Sequence, residues 1–225
     1  MTVITISRQY GSKGTEIAER VCKLLSYKFV DKQIIAQAAN EAGVPGGRVV
    51  EFNEQHSLMR SFVDRLLYPG PHVVAQVMVT SSGDGENDRL TVEELDKAEC
   101  LNLVRSAIHA VYQEGNVVIV GRGGQAVLQT MPGVLHVRTL APMPTRLLNI
   151  QKQINVGLEE AYRLAVRQDK KTAGYLSQVF GIEVDDPMLY HLVINTGKLS
   201  VEQAAQMIVG AVEAMETASV AGSST

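Results

Sequence analysis

Short runs of β-branched and other apolar residues alternate along this chain with longer stretches of helical periodicity. The runs with the length and composition of buried strands lie at residues 3–6, 117–121, 134–140 and 192–196. The clearest is VVIVG at 117–121, whose unbroken apolar character suits a central strand covered on both faces. Residues 28–31 are a candidate for a second short strand, and the run HVVAQVMV fits either a strand or a helix. Alternation of this kind predicts an α/β fold, with a parallel sheet between two layers of helices.

Helical patterns fill much of the chain between these runs. From Thr15 the apolar residues Ile17, Val21, Leu24 and Leu25 recur on one helix face. Capping boxes, in which a hydroxyl and a Glu or Gln three residues later satisfy backbone amides, occur at 91–94 and 200–203. The helix from residue 200 is expected to bury one face made of Val201, Ala204, Ala205, Ile208, Val209 and Val212.

The rest of the chain is organised around this core. Clusters of turn residues (GVPGG, YPGP and SSGDGEND) interrupt residues 44–90, which we interpret as an insertion or cap. Residues 157–181 predict either a charged helical hairpin or one long helix. We expect a single domain over residues 1–216, with a core at 1–43, 91–156 and 191–216, and a disordered tail at 217–225.

The loop after the first strand can bind an anion. It reads Gly11-Ser12-Lys13-Gly14-Thr15 and opens a helix, whose first amides lack intrahelical partners and whose end carries positive partial charge. Glycine lets the backbone approach a phosphate, Thr15 stands where a hydroxyl would contact Mg²⁺, and Arg8 and Lys13 are the available cations. The phosphate-loop pattern G-x-x-x-x-G-K-[ST] would put lysine where this chain has Gly14, so a plain tight turn with exposed charges is the alternative.

Composition limits the classes of partner and compartment. The net charge is -3 and the sequence pI about 6.0, so no basic footprint for nucleic acid is evident. Two distant cysteines predict neither a disulfide framework nor a zinc site, and the five histidines lack metal-binding spacing. No signal peptide or membrane-length apolar run is recognised, so we expect a cytoplasmic protein with no membrane partner.

Read together, three segments resemble the cytidylate-kinase-like family, a branch of the P-loop nucleoside monophosphate kinases. The segments are ITISRQYGSKGTEIAERVCKLLSYKFVDKQII, VVIVGRGGQAVL and RQDKKTAGYLSQVFGIEVDDPMLYHLVINTGKLSVEQAA. The matching positions are Ser7, Arg8, Tyr10, Gly11, Ser12, Gly14, Asp31, Gly121, Arg122, Asp169, Lys170, Lys171, Tyr175, Asp186, Pro187, Tyr190, Asn195 and Thr196. The resemblance is weakest over about 44–90.

This resemblance implies a three-layer P-loop kinase fold with a five-stranded parallel sheet, an acceptor-binding insertion at about 44–90 and a lid-like region at about 157–190. It implies transfer of the γ-phosphoryl group of ATP, with Mg²⁺, to a pyrimidine monophosphate such as CMP or dCMP. Small-molecule nucleotides would then be the partners. Such chemistry depends on positioning and on neutralising the charge of the transferring group.

The resemblance also implies roles for individual residues. Gly11, Ser12, Lys13, Gly14 and Thr15 would surround the ATP phosphates, with the Thr15 hydroxyl toward Mg²⁺. The catalytic cations would be Arg8, Lys13, Arg122, Arg163 and Arg167. Asp31 and Arg122 would face the acceptor, and Arg163, Arg167 and Asp169 would belong to the lid. Asp31 could equally cap a helix, Arg122 could be a charge in a turn, and Arg163 and Arg167 could form a solvated helix face.

Several departures keep other functions open. Gly14 replaces the loop lysine, Gly123 replaces the Asp that standard enzymes carry after Gly-Arg, and Thr172 replaces an arginine that usually follows Asp-Lys-Lys. Losing the lysine or the arginine would weaken transition-state stabilisation. A nucleotide-binding regulatory protein without turnover, or a kinase of another small acceptor, are therefore the alternatives.

Overall fold

The computed structural model describes residues 1–31 and 97–222. The strands are β1 (Val3–Arg8), β2 (Lys28–Val30), β3 (Val117–Val120), β4 (Val134–Leu140) and β5 (Leu192–Asn195). The helices are α1 (Gly14–Leu25), α2 (Lys97–Glu114), α3 (Gly124–Val127), α4 (Met143–Ile154), α5 (Leu158–Phe180) and α6 (Val201–Gly222), with a 3-10 turn at Pro187–Leu189. The predicted insertion at 44–90 and the capping box at 91–94 lie outside the described residues.

The strands form one parallel sheet in the order β2-β3-β1-β4-β5. Strand β1 is central, since Val3 pairs with Val117 of β3 and with Val134 of β4. The expected α/β fold with a five-stranded parallel sheet is therefore confirmed. Strand β3 is an interior strand, as its unbroken apolar run predicted.

Two apolar layers cover the sheet because side chains alternate between its faces. One face buries Ile4 and Ile6 against Ile17 of α1 and Ile208 of α6. The opposite face buries residues of β1, β3 and β4 against α2, with Ile108 fully buried. Helices α1 and α6 thus cover one side of the sheet, and α2 and α3 cover the other.

The helix ends agree with the capping chemistry where it is described. The amide of Ser200 donates to Oε1 of Gln203 (2.9 Å), and the amide of Gln203 donates to Oγ of Ser200 (3.2 Å), which confirms the predicted capping box. Residues 158–180 form one long helix rather than a hairpin.

The tail differs from its expectation. Disorder was predicted from residue 217, but α6 is helical through Gly222. Extending an established helix adds one hydrogen bond for each residue ordered, and the small residues of this stretch do not interrupt it.

The parallel topology brings the carboxyl ends of the strands to one edge of the sheet. There β1 leads into the loop before α1, β3 into the turn before α3, and β4 into α4. Ligands of open α/β sheets bind beyond this edge. Within residues 1–31 and 97–222, no helix is both long and apolar enough to cross a membrane.

Candidate functional site

The loop between β1 and α1 is held from outside through its carbonyl groups. The carbonyls of residues 10, 11 and 12 accept hydrogen bonds, in that order, from Arg146 Nε (2.7 Å), Asn149 Nδ2 (2.8 Å) and Thr196 Oγ1 (2.9 Å). The loop conformation is therefore anchored by α4 and by the segment after β5. The first amides of α1 have no intrahelical acceptors, so they are suited to bind an anion.

Ser12 ties the loop to the sheet. Its side chain is buried, and its Oγ lies 2.8 Å from the Gln9 carbonyl oxygen and 2.9 Å from Thr139 Oγ1. The Gln9 amide donates to the Thr139 carbonyl (3.0 Å). These contacts give the Ser12 side chain a structural role, while a phosphate-binding role of its backbone stays a prediction.

Glycine is required at two loop positions by close approach. Gly11 has a φ of 83°, and a β-carbon there would lie 2.8 Å from the Arg146 carbonyl oxygen. A β-carbon on Gly14 would lie 2.6 Å from Thr139 Oγ1 and 2.7 Å from the β-carbon of Arg8. The space beside Gly14 is therefore filled by the Arg8 side chain.

Arg8 reaches from the loop to the next strand. Its Nη1 atom lies 2.9 Å from the position of a β-carbon on Gly121, which directly follows β3. The guanidinium thus lies at the shared edge of β1 and β3, beside the turn that carries Arg122. The aliphatic part of Arg8 lies beside Gly14 in the loop between β1 and α1, and its guanidinium lies toward the turn after β3.

The other predicted loop residues are differently exposed. Lys13 caps α1 in a left-handed conformation (φ 59°) with an exposed side chain. Thr15 lies in the first turn of α1 and is partly buried. The charge of Lys13 is therefore near the loop but in solvent, where it is strongly screened.

The two predicted acceptor-side residues follow strand ends. Asp31 comes directly after β2 and is partly buried, while the helix it would cap lies outside the described residues. Arg122 has a φ of 61° in the turn between β3 and α3. Its charge acts on Tyr175 of α5: burial raises the pKa of that phenol, and Arg122 and Arg105 oppose the rise.

The predicted lid residues all lie on helix α5, but only Asp169 is shown in contact with the loop between β1 and α1. Asp169 accepts a hydrogen bond from the Tyr10 amide (2.9 Å) and pairs with the buried guanidinium of Arg146. Arg163 instead pairs within its own helix with Glu159 (2.6 Å), and both side chains are exposed. Arg167 is also exposed. The structure brings Asp169 to the loop, whereas catalytic roles for Arg163 and Arg167 stay predictions.

A cleft of about 200 Å³ lies between the end of β1, strand β4 and α5. Its charged and polar lining includes Arg8, Gln9, Arg138, Asp169, Lys170 and Asp185. Sequence reasoning missed Arg138 and Arg146, although a charged residue inside the predicted strand at 134–140 was a usable signal for Arg138. No such signal exists for Arg146, because arginines are common on the exposed faces of helices.

A family model described as the cytidylate kinase-like family matches residues 3–198. The chain belongs to this family. Cytidylate kinase of Pyrococcus horikoshii is 26% identical over 223 residues, which cover 98% of this chain and 93% of that protein. Cytidylate kinase of Methanocaldococcus jannaschii is 25% identical over 214 residues, covering 94% and 97%. Family membership supports a kinase, that is, a phosphotransferase.

Solved structures agree on the fold of this family member. An uncharacterized protein from Eubacterium ventriosum matches with a TM-score of 0.65 and 16% identity, covering 95% of this chain and 99% of the other. Shikimate kinase from Bacteroides thetaiotaomicron matches with a TM-score of 0.51 and 13% identity, covering 94% and 98%. The fold is that of the P-loop kinases.

Proposed function

We propose that this protein transfers the γ-phosphoryl group of ATP, with Mg²⁺, to a pyrimidine monophosphate, CMP or dCMP. The observation that carries the proposal is the position of the Arg8 side chain beside Gly14, the residue that stands in place of the loop lysine. The loop lacks the usual lysine, yet the side chain of Arg8 fills the space beside Gly14 and extends toward the end of β3. An arginine in that position supplies the charge that phosphoryl transfer requires at the junction of donor and acceptor.

The roles follow from position. Backbone amides at the start of α1 would bind the donor phosphates, with Lys13 adding a screened charge. Arg8 would neutralise the transferring group, and Arg122, in the next turn along the edge, would bind the acceptor phosphate with Asp31 nearby. Arg163 and Arg167 would contribute only after movement of α5. We expect the reaction in the cytoplasm, where its nucleotides are abundant.

The predicted magnesium requirement depends on few protein atoms. Within residues 1–31 and 97–222, no group of three or more His, Cys, Asp or Glu side chains is arranged to hold a metal ion. Mg²⁺ commonly keeps several waters and binds substrate phosphates with only one or two protein ligands. The Thr15 hydroxyl is our candidate for such a ligand, and the ion would neutralise phosphate charge.

A second function is favoured by the same glycine. If Arg8 does not replace the missing lysine, the protein would bind nucleotide without transferring phosphate and would act as a regulatory protein. This alternative predicts that ATP raises the melting temperature by linkage, while no ADP forms with any acceptor.

The deciding experiment measures ADP formation with ATP, Mg²⁺ and a panel of acceptors: CMP, dCMP, UMP, AMP, GMP and cytidine. We expect turnover with CMP or dCMP and none with cytidine, because the nucleoside lacks the phosphate that Arg122 would bind. Turnover with cytidine alone would contradict the proposed acceptor class. ATP binding without turnover on any acceptor would support the regulatory alternative.

A further inference from the structure

Arg138 is a buried arginine that sequence reasoning did not assign. It lies in β4 opposite Ser7 of β1, and its side chain is 4% exposed. Its Nη1 donates to Ser7 Oγ (3.0 Å), its Nη2 pairs with Asp185, and its Nε is buried without a partner. A buried guanidinium with an unused donor has hydrogen-bonding capacity left for a ligand.

Asp185, the ion-pair partner of Arg138, is far more exposed to solvent than Arg138 is. The Asp185 side chain is 77% exposed, whereas Arg138 is held in the sheet. A carboxylate already in water loses little when it is displaced from an ion pair. The pair can therefore open from the Asp185 side and leave the fork of Arg138 directed into the cleft that both residues line.

The cleft has the charge that a phosphate would need. Arg138 and Lys170 bring cationic groups to the cleft and Arg8 is also part of its lining, against the two carboxylates of Asp169 and Asp185. Asp169 is already engaged by Arg146 and the Tyr10 amide. Displacing Asp185 would leave a cationic cleft beside the anion loop, and guanidinium forks bind phosphate oxygens in bidentate fashion.

We propose that Arg138 binds a phosphate group of the ligand, and that Asp185 occupies Arg138 as an intramolecular competitor until the phosphate displaces it. The inference rests on the proposed function in taking that phosphate to belong to a nucleotide. Three probes distinguish its source: ATP with Mg²⁺, CMP, and inorganic pyrophosphate.

The test measures the dissociation constants of these probes by calorimetry, with the full chain and without turnover. R138M should bind at least one probe roughly tenfold more weakly, since a charge-assisted hydrogen bond is lost. D185N should bind that probe about threefold more tightly, because the competing carboxylate is gone. R20M, which removes an arginine from the surface pair with Glu202, is the matched control and should change neither constant.

A rescue variant separates ligand binding from a purely structural role. Thr172 lines the same cleft, so T172R in the R138M background should restore part of the lost affinity. Should R138M not fold, D185N decides alone, because its exposed side chain is not needed for the core. Affinities of R138M within twofold of R20M, or D185N affinities no tighter than wild type, overturn the inference.

The outcomes also distinguish this inference from the proposed function. An enzyme inactive on every acceptor that still shows the R138M loss and the D185N gain with pyrophosphate would refute the kinase and retain the phosphate site. An active kinase whose R138M variant binds and turns over normally would retain the proposed function and refute the phosphate site at Arg138. Failure of the wild-type protein to bind any probe would refute both.

Discussion

At the scale of single residues, the side chains of Arg8 and Thr139 fill the space beside Gly14. A lysine at this position would place its β-carbon 2.7 Å from that of Arg8 and 2.6 Å from Thr139 Oγ1. Both contacts are too close for an added carbon without movement of neighbours. A side chain at position 14 would therefore require Thr139 or Arg8 to move.

The role proposed for Arg8 predicts that removing its charge has a larger effect than removing the charge of Lys13. Arg8→Met should lower kcat/KM for phosphoryl transfer about a hundredfold or more, in the range seen when a transition-state charge partner is removed. Lys13→Met should lower it by less than about tenfold, because the Lys13 side chain is exposed and screened. Steady-state kinetics on the two variants checks this, and equal losses would argue against a special role for Arg8.

A second residue-scale prediction concerns stability. Gly14→Ala should lower the free energy of unfolding by about 1–3 kcal/mol, because the added carbon overpacks the space against Arg8 and Thr139. Gly174→Ala is the control, since a β-carbon there meets nothing within 4 Å and alanine favours a helix. Chemical denaturation measures both, and a Gly14→Ala protein as stable as wild type would contradict the close packing.

At the scale of elements, the carboxylate of Asp169 joins α5 to the loop between β1 and α1. Asp169 accepts from the Tyr10 amide with one oxygen and pairs with Arg146 through the other, while the Arg146 Nε donates to the Tyr10 carbonyl. Loop, α4 and α5 therefore share one hydrogen-bonded unit. Beneath it, Ile150 packs with Ala161 and Ala165 between α4 and α5.

Breaking this unit should destabilise the protein more than breaking an exposed ion pair on the same helix. Asp169→Asn would leave the buried Arg146 charge without its carboxylate, and we expect a loss of about 1–3 kcal/mol, moderated because Asp169 is partly exposed. Arg163→Gln, which removes the exposed pair with Glu159, should change stability by less than about 0.5 kcal/mol. If urea denaturation showed comparable losses in the free energy of unfolding for both variants, the structural role assigned to Asp169 would be refuted.

At the scale of the whole molecule, a row of polar groups runs through the core between β1 and β4. His136 is buried, lies 2.7 Å from Thr5 Oγ1 through its Nδ1, and stacks on the His191 ring at 5.2 Å. Burial, and next the charge of His191, lower the pKa of His136 to about 4. A neutral imidazole is therefore part of the folded core.

The lowered pKa predicts how global stability depends on pH. An unfolded histidine binds a proton near pH 6.5, but His136 in the folded protein does so only near pH 4. Between these values the unfolded state holds more protons, so the free energy of unfolding falls as pH falls, by up to about 3 kcal/mol. His136→Asn should remove this part of the slope between pH 7 and pH 4. Identical slopes in the two proteins would exclude His136 as its source.

Much of the fold could be predicted because it depends on local patterns. The apolar runs at 3–6, 117–121 and 134–140 became strands, and the capping box at 200–203 formed as written. Periodicity and turn chemistry are encoded within a few residues, so they can be identified without knowledge of distant contacts. The position of the loop between β1 and α1 could be predicted in the same way, whereas its binding of an anion stays a prediction.

What the sequence by itself determined is the alternating α/β order, the family, and the loop beside Arg8 with glycine in place of lysine. Only the tertiary structure decided which charges meet there. Arg146 and Asp169 are 23 positions apart, and Arg138 meets Ser7 from 131 positions away. Such pairings depend on sheet order and on the approach of α5 to the loop, which arise from packing of the whole core and not from any local pattern of residues.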